Sequence, residues 1–274
     1  MNSRLFQRDF TIMILGQIIS LFGNAILRFS LSLYVLEVTG SAAVFGTILA
    51  VSMIPTVLLS PFGGVLADRL PKQKIMTILD FVTAGLIVFY DAVYGSAGNL
   101  AAVTIFMILL TLIQAFYQPS VQASIPLLAS QEQLMAANGI VMQVQALAGL
   151  LGPILAGMLY GIGGVKPILA ASAVCFFLSA VMELFLRIPH EKREADGSPV
   201  RMALLDLKGA VTYLIRENTC LFKLLIVVAG INLFLSALFI IGLPYLVKIY
   251  LGMSAQAYGF AEAAMGMGSI LGGL

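Results

Sequence analysis

The stretch GGVLADRLPKQK, residues 63–74, sets two glycines, one acid, three bases and a proline between two long apolar runs. The surrounding chain makes this unusual: of its 274 residues 60% are hydrophobic and only 10% are charged, with a mean hydropathy of +1.03. Soluble domains carry about 25% charged residues. A chain this apolar is solvated by lipid over most of its length, and a charged cluster between apolar runs marks a point where it emerges into water.

Working outward from that point, a hydrocarbon core of about 30 Å requires about 20 apolar residues per helix. Eight runs meet this length: 10–34, 43–67, 75–94, 100–117, 139–160, 167–186, 221–247 and 254–274. The quoted stretch is then the short turn between the second and third spans. The polar stretch 188–219 separates six spans from the rest, and its second half is expected to form an amphipathic helix at the membrane surface. The chain therefore divides into a six-helix bundle (1–187), a linker loop (188–220) and the start of a second bundle (221–274). The first run is too long for the core of a signal peptide and has no small-residue cleavage site after it, so it reads as a retained span.

Lysine and arginine are retained in the cytoplasm. With the N-terminus inside, Arg4, Arg8, Arg69, Lys72, Lys74 and the bases of 187–223 are cytoplasmic, leaving only Lys166 and Lys248 outside. The expected location is the inner (plasma) membrane, multi-pass. SAAVFG (41–46) opens the second run and SAQAYG (254–259) opens the eighth, a repeat that implies two parallel six-span halves. On this reading the second half is incomplete at Leu274, and its remaining spans are a missing partner.

In the quoted turn, Arg69, Lys72 and Lys74 serve as topology signals, Pro71 ends a helix, and Gly63 and Gly64 permit close helix approach. Those roles leave Asp68 unexplained. A carboxylate at a helix C-terminus is unfavourable to its own helix, yet it suits the N-terminus of a neighbouring helix or a nearby arginine. Such a contact works as a latch between helical blocks. Gly64, Asp68, Arg69, Lys72 and Lys74 resemble the signature loop of the major facilitator superfamily, with Pro71 and Lys72 where glycine and arginine are usual. The resemblance implies an all-α membrane fold in which Asp68 and Arg69 stabilise one state of the two halves. Asp80, six residues into the third run, resembles an acid often found downstream of that signature and is expected to pair with a local base.

In the fifth run, GIVMQVQALAGLLGPILAG, the residues Gly139, Ala148, Gly152, Pro153, Ala156 and Gly157 resemble the superfamily's export-associated motif, which implies an antiporter. Read from the residues, Gly149, Gly152 and Gly157 allow close packing, and Pro153 frees a carbonyl and bends the helix. FGNAILRFSLSLYVLEVTGSAAVFG and FYQPSVQASIPLLASQEQLMAANG resemble the bacterial branch of macrolide efflux and enterobactin export, whose members often carry an acid where this chain has Asn24. The implied function is proton-coupled efflux of drugs or siderophores by alternating access. The alternatives are an importer of the same superfamily and an inactive or assembly-only fragment.

On the first run Gln17, Ser20, Asn24, Arg28 and Ser32 recur every three or four residues and share one helical face. Facing lipid, Arg28 alone would cost about 2.5–3.5 kcal/mol, so the face is expected to line a cavity. Gln17, Asn24, Arg28, Gln114, Tyr117 and Gln145 are the candidate substrate contacts. The acids Asp91 and Glu262 lie near span ends, and Glu183 lies one turn from Arg187, so snorkelling or an i,i+4 pair accounts for them and no proton carrier stands out. Cofactor and metal sites are not indicated: the two cysteines, Cys175 and Cys220, are far apart, the single histidine, His190, lies in the loop, and no phosphate-loop spacing occurs. These absences argue against an enzyme. The net charge of +2, with no basic arm, argues against a nucleic-acid partner.

Overall fold

The computed structural model describes residues 7–95, 99–189, 208–209 and 212–272, without the side chains of Asp68, Glu217 and residues 269–272. Every regular element among them is helical. Six helices come first: α1 (Arg8–Thr39), α2 (Ala42–Arg69), α3 (Lys72–Tyr94), α4 (Leu100–Leu128), α5 (Leu134–Gly163) and α6 (Lys166–Leu184). After the linker come α7 (Thr219–Ala237), which wider π turns extend to Tyr250 around Pro244, and α8 (Ala255–Gly272). Seven of these segments are long and apolar enough to cross a membrane, the seventh being 219–250. The eighth expected run does form a helix, but Gln256, Tyr258 and Glu262 leave it too polar to join the seven.

The helices overrun the runs expected from hydropathy. α4 continues past Tyr117 to Leu128 although it contains Pro119 and Pro126. A proline removes the hydrogen bond to the carbonyl four residues back, here that of Ala115. Gly63 of α2 presses against this same carbonyl, and a Cβ at position 63 would collide with Ala115 O. The charged turn proves to be only two residues long. Leu70 adopts the extended conformation that a following proline favours (φ −101°, ψ 157°), and Pro71 stands at the N-cap of α3. The expected surface helix of the linker falls mainly on residues outside those described; Tyr213–Glu217 is a single π turn.

Both copies of the six-residue repeat are helix starts. The Ser41 hydroxyl accepts from Val44 N at 3.4 Å to cap α2, and the Ser254 hydroxyl accepts from Ala257 N at 3.2 Å to cap α8. The glycine that ends each copy meets the other part of the chain: Gly46 packs on Ile241 and Gly259 on the carbonyl of Pro153.

An antiparallel seam joins α1 to α6. Ser172 Oγ donates to Gly23 O and Ser179 Oγ to Gly16 O, both at 3.0 Å, so donors seven residues apart meet acceptors seven residues apart. Such interhelical bonds contribute about 0.6 kcal/mol each in lipid. Their geometric effect is larger, since they fix the rotation of α1 about its axis. On its far side α1 packs against α5, where a Cβ on Gly152 would come within 2.6 Å of Ala25 Cβ.

Contacts to the last two helices run from the middle of α5, where Gly266 packs on Leu150, to the end of the bundle opposite the N-terminus. Glu37 there pairs with Lys248 Nζ at 2.7 Å and accepts from Tyr160 OH at 2.6 Å, Gly157 packs against Ala255, and Phe29 stacks on Tyr258 with ring centroids 4.7 Å apart.

The α1–α5 contact yields a stability prediction. Gly152→Leu forces the two helices apart and lowers stability by about 1–3 kcal/mol, as overpacking does, whereas Leu151→Val on the exposed side of α5 changes it by less than about 0.5 kcal/mol. Thermal unfolding in detergent measures the difference; equal midpoints for the two variants would show that the helices do not meet at Gly152.

Candidate functional site

The polar stripe of α1 does not face one environment. Its upper part, Asn24, Arg28 and Ser32, borders open space, and its lower part, Gln17 and Ser20, is buried.

The open part is a cavity of about 1200 Å³ between the bundle and the last two helices. Arg28, Ser32, Gln143, Ser236, Tyr258 and Glu262 supply its polar groups, while Phe29, Met53 and Met142 are among its apolar walls. Past Arg28 a small side pocket continues between α1, α2 and α4, bordered by Asn24, Thr111 and Gln114. The guanidinium is exposed to this space and has no ion-pair partner among the described residues. Glu262 accepts a hydrogen bond from Tyr258 OH at 2.5 Å. The cavity lies on the N-terminal side of the Gly157–Ala255 contact, since its α5 residues run from Met142 to Pro153. At the opposite end the Glu37–Lys248 pair and the α5–α8 packing close the gap.

Of the six candidate substrate contacts, Asn24, Arg28 and Gln114 border these spaces. Gln17 and Tyr117 do not: each is only 1% exposed, and Gln17 Nε2 donates to Tyr117 OH at 2.7 Å. Gln145 is exposed but lies away from the cavity, and Gln143, two residues earlier, takes its place. Spacing on α1 and α4 cannot separate a cavity-facing residue from one covered by another helix. Gln143 was missed because it belongs to no polar stripe on α5, whereas Tyr258 and Glu262 share one face of α8 at i,i+4 spacing, a signal that was present in the sequence.

The buried part is a cluster on α1, α3, α4 and α6. Tyr117 OH, which accepts from Gln17, donates in turn to Glu183 Oε1 at 2.9 Å, and Ser20 Oγ donates to Asp80 Oδ1 at 3.4 Å. Asp80 is 1% exposed and Glu183 is fully buried. Two expectations change accordingly. Asp80 meets a serine hydroxyl inside the bundle rather than a base at the turn. Glu183 is not paired with Arg187, because α6 ends at Leu184 and carries Arg187 off the helical register to an exposed position, where its backbone N–H donates to Asp9. A pattern on α6 could have flagged Glu183, since Ser172, Ser179 and Glu183 form a polar face at spacings of seven and four.

In the charged turn, Arg69 and Lys72 are half-buried and Lys74 is exposed, while the Asp68 side chain lies outside the described residues. Gly64 has open space where a Cβ would go, so close approach at this turn falls to Gly63 alone. In the fifth-helix motif Ala148, Gly152, Pro153, Ala156 and Gly157 are all buried, with Gly152 against α1 and Gly157 against α8. Gly139 and Gly149 have no neighbour within reach of a Cβ, and Gly149 borders the cavity. Cys175 and Cys220 are free thiols.

Comparison with known proteins agrees with this architecture. The chain is 27% identical over 268 residues to macrolide efflux protein A of Streptococcus pyogenes, an alignment covering 94% of this chain and 64% of that protein. Against macrolide efflux protein A of Enterococcus faecalis it is 27% identical over 244 residues, covering 86% and 72%. It is 24% identical over 261 residues to the staphyloferrin A transporter of Staphylococcus aureus, covering 91% and 62%. The chain thus spans a little under two thirds of the length of the S. pyogenes relative. Residues 13–274 match the Major Facilitator Superfamily, and the chain belongs to that family of membrane transporters.

Proposed function

We propose that the protein is a secondary active exporter, coupled to protons, that moves drug-like molecules of the macrolide kind or siderophores out of the cell by alternating access. The observation that carries this reading is the cavity: about 1200 Å³ of mainly apolar space with a few polar groups and a guanidinium that has no ion-pair partner among the described residues, bounded at the end opposite the N-terminus by the Glu37–Lys248 pair and the α5–α8 packing. Largely apolar walls with few polar groups suit bulky, partly apolar ligands. The relatives named for macrolide efflux and staphyloferrin A transport favour the same substrate classes. With the N-terminus in the cytoplasm, as the distribution of bases favours, the cavity opens inward.

Transport then requires the closed end to open while the cytoplasmic end closes. In the closing step Asp68 serves as the latch acid, with Gly64, Arg69, Lys72 and Lys74 forming the turn around it. Gly152, Pro153 and Gly157 serve as the hinge, since they hold α5 against both α1 and α8. Arg28 orients the substrate through its planar fork of donors, a role that lysine fills poorly.

Two outcomes follow for efflux by the full-length protein. Arg28→Ala loses a charge-assisted hydrogen bond of about 1.5–3 kcal/mol and lowers efflux about tenfold or more, while Arg28→Lys stays active with a changed substrate range. Efflux assays across a panel of macrolides and siderophores measure both, and unchanged efflux by Arg28→Ala removes Arg28 from the binding site. Asp68→Asn abolishes efflux while the protein still inserts, because the topology-setting bases remain. Normal efflux by that variant contradicts the latch.

A further inference from the structure

Four helices bring two carboxyl groups together inside the bundle. Asp80 comes from α3 and Glu183 from α6, with Gln17 and Ser20 of α1 and Tyr117 of α4 between them. No base takes part. Asp80, Glu183 and Tyr117 are the titratable groups of the cluster; α1 faces it with Gln17 and Ser20, α3 with Asp80, and α6 with Ser179 and Glu183. The nearest cation along α6, Arg187, lies past the helix end and is exposed, while Lys72 stands eight residues, or about 12 Å, before Asp80 on α3.

Hydrogen-bond accounting then shows a shortage of donors. Gln17 Oε1, Asp80 Oδ2 and Glu183 Oε2 are buried oxygens with no hydrogen-bond donor among the described residues. Most neighbouring hydrogens are committed: Tyr117 gives its hydrogen to Glu183, Ser20 to Asp80 and Ser179 to Gly16 O, which leaves the buried Thr77 hydroxyl, one turn before Asp80 on α3, as one uncommitted donor for three orphaned oxygens. The Gln17 amide, 1% exposed, gives Nε2 to Tyr117 and leaves its oxygen unpartnered. An orphaned buried acceptor costs about 1–3 kcal/mol, and two carboxylates held close in a low-dielectric site do not both stay charged. A hydrogen bound to one carboxyl resolves both deficits, since it removes one negative charge and creates an O–H donor for an orphaned oxygen.

We propose that Asp80, held by Ser20, and Glu183, held by Tyr117, form a buried proton-binding site in the first helical bundle. One proton from water adds to a carboxylate oxygen and takes the pair from two negative charges to one; its release to water restores the second. The placement suits coupling. The two helices that hold Gln17, Ser20 and Tyr117 also border the cavity, one turn further on: Ser20 precedes Asn24 on α1, and Gln114 precedes Tyr117 on α4. At the N-terminal face, Gln73 Nε2 of α3 donates to the Glu183 carbonyl oxygen at 3.1 Å and ties the start of α3 to the end of α6. The coupling role deepens the efflux reading and rests on it, whereas proton binding stands or falls by itself.

Infrared difference spectroscopy tests the site without any transport assay. The purified chain in lipid nanodiscs is titrated with acid and base, and the carbonyl stretch of protonated carboxyl groups is followed together with its shift in deuterated water. The expected result is a protonated-carboxyl band that persists at neutral pH, is lost or cut by half in Asp80→Asn and in Glu183→Gln, and moves to higher frequency in Tyr117→Phe, which keeps the ring but removes a hydrogen bond. Absence of that band from the unsubstituted protein at neutral pH overturns the proposal and needs no variant to fold. A band that survives both acid substitutions belongs to other groups and overturns it too. Loss of the band on adding sodium at constant pH would identify a sodium site instead. Loss of efflux in the Arg28 or Asp68 variants leaves this readout untouched, so the two readings fail separately.

Discussion

The α1–α6 seam is the constraint on which the rest of the structure depends. Two serine hydroxyls, Ser172 and Ser179, bond the carbonyl oxygens of Gly23 and Gly16, and at Gly23, where a Cβ would come within 2.8 Å of Cys175 Cβ, the missing side chain lets the backbones approach. In lipid, helices gain little from apolar contact alone, so small residues and interhelical hydrogen bonds set both spacing and rotation. Once α1 is held at that rotation, Gln17, beside Gly16, faces Tyr117, and Ser20 faces Asp80. Two turns further on, Arg28 faces the cavity. Glu183, one turn beyond Ser179, is carried into the same buried cluster.

The seam therefore divides one polar stripe between two tasks. Its buried part is rich in acceptors and short of donors, while its exposed part offers a large apolar space a cation with no ion-pair partner among the described residues. α5 complements this arrangement from the other side, with Gly152 against α1 and Gly157 against α8. Movement of α5 on its small-residue contacts would therefore change the cavity and the closed end together, while the cluster stays within the bundle.

Much of the architecture was legible in the sequence. Run lengths gave the helices, and the SAAVFG and SAQAYG repeat marked two equivalent helix starts, each capped by its serine. Motif residues and the family resemblance were equally legible, because they depend on local patterns. Helix ends were less so: hydropathy stops at Tyr117, yet α4 runs on through two prolines, and Gly63 packs against the carbonyl that Pro119 leaves free. The acid pair was hidden for a physical reason. Asp80 and Glu183 are about a hundred residues apart in sequence, and although the polar face of α6 marks Glu183, nothing local pairs it with Asp80 until four helices enclose them. Gln17 and Arg28 are likewise indistinguishable by spacing, since they lie on one face and differ only in what covers them.

Cysteine accessibility along α1 tests this division most directly. With the native thiols removed by Cys175→Ala and Cys220→Ser, single cysteines are placed at Gln17, Ser20, Asn24 and Arg28 and exposed to a membrane-impermeant thiol reagent from each side. The account predicts labelling at positions 24 and 28, reached from the side that bears the N-terminus, and none at 17 and 20. Equal labelling at all four positions would mean that the stripe lines one continuous water-filled face, and it would contradict the separation of a buried proton site from an open cavity.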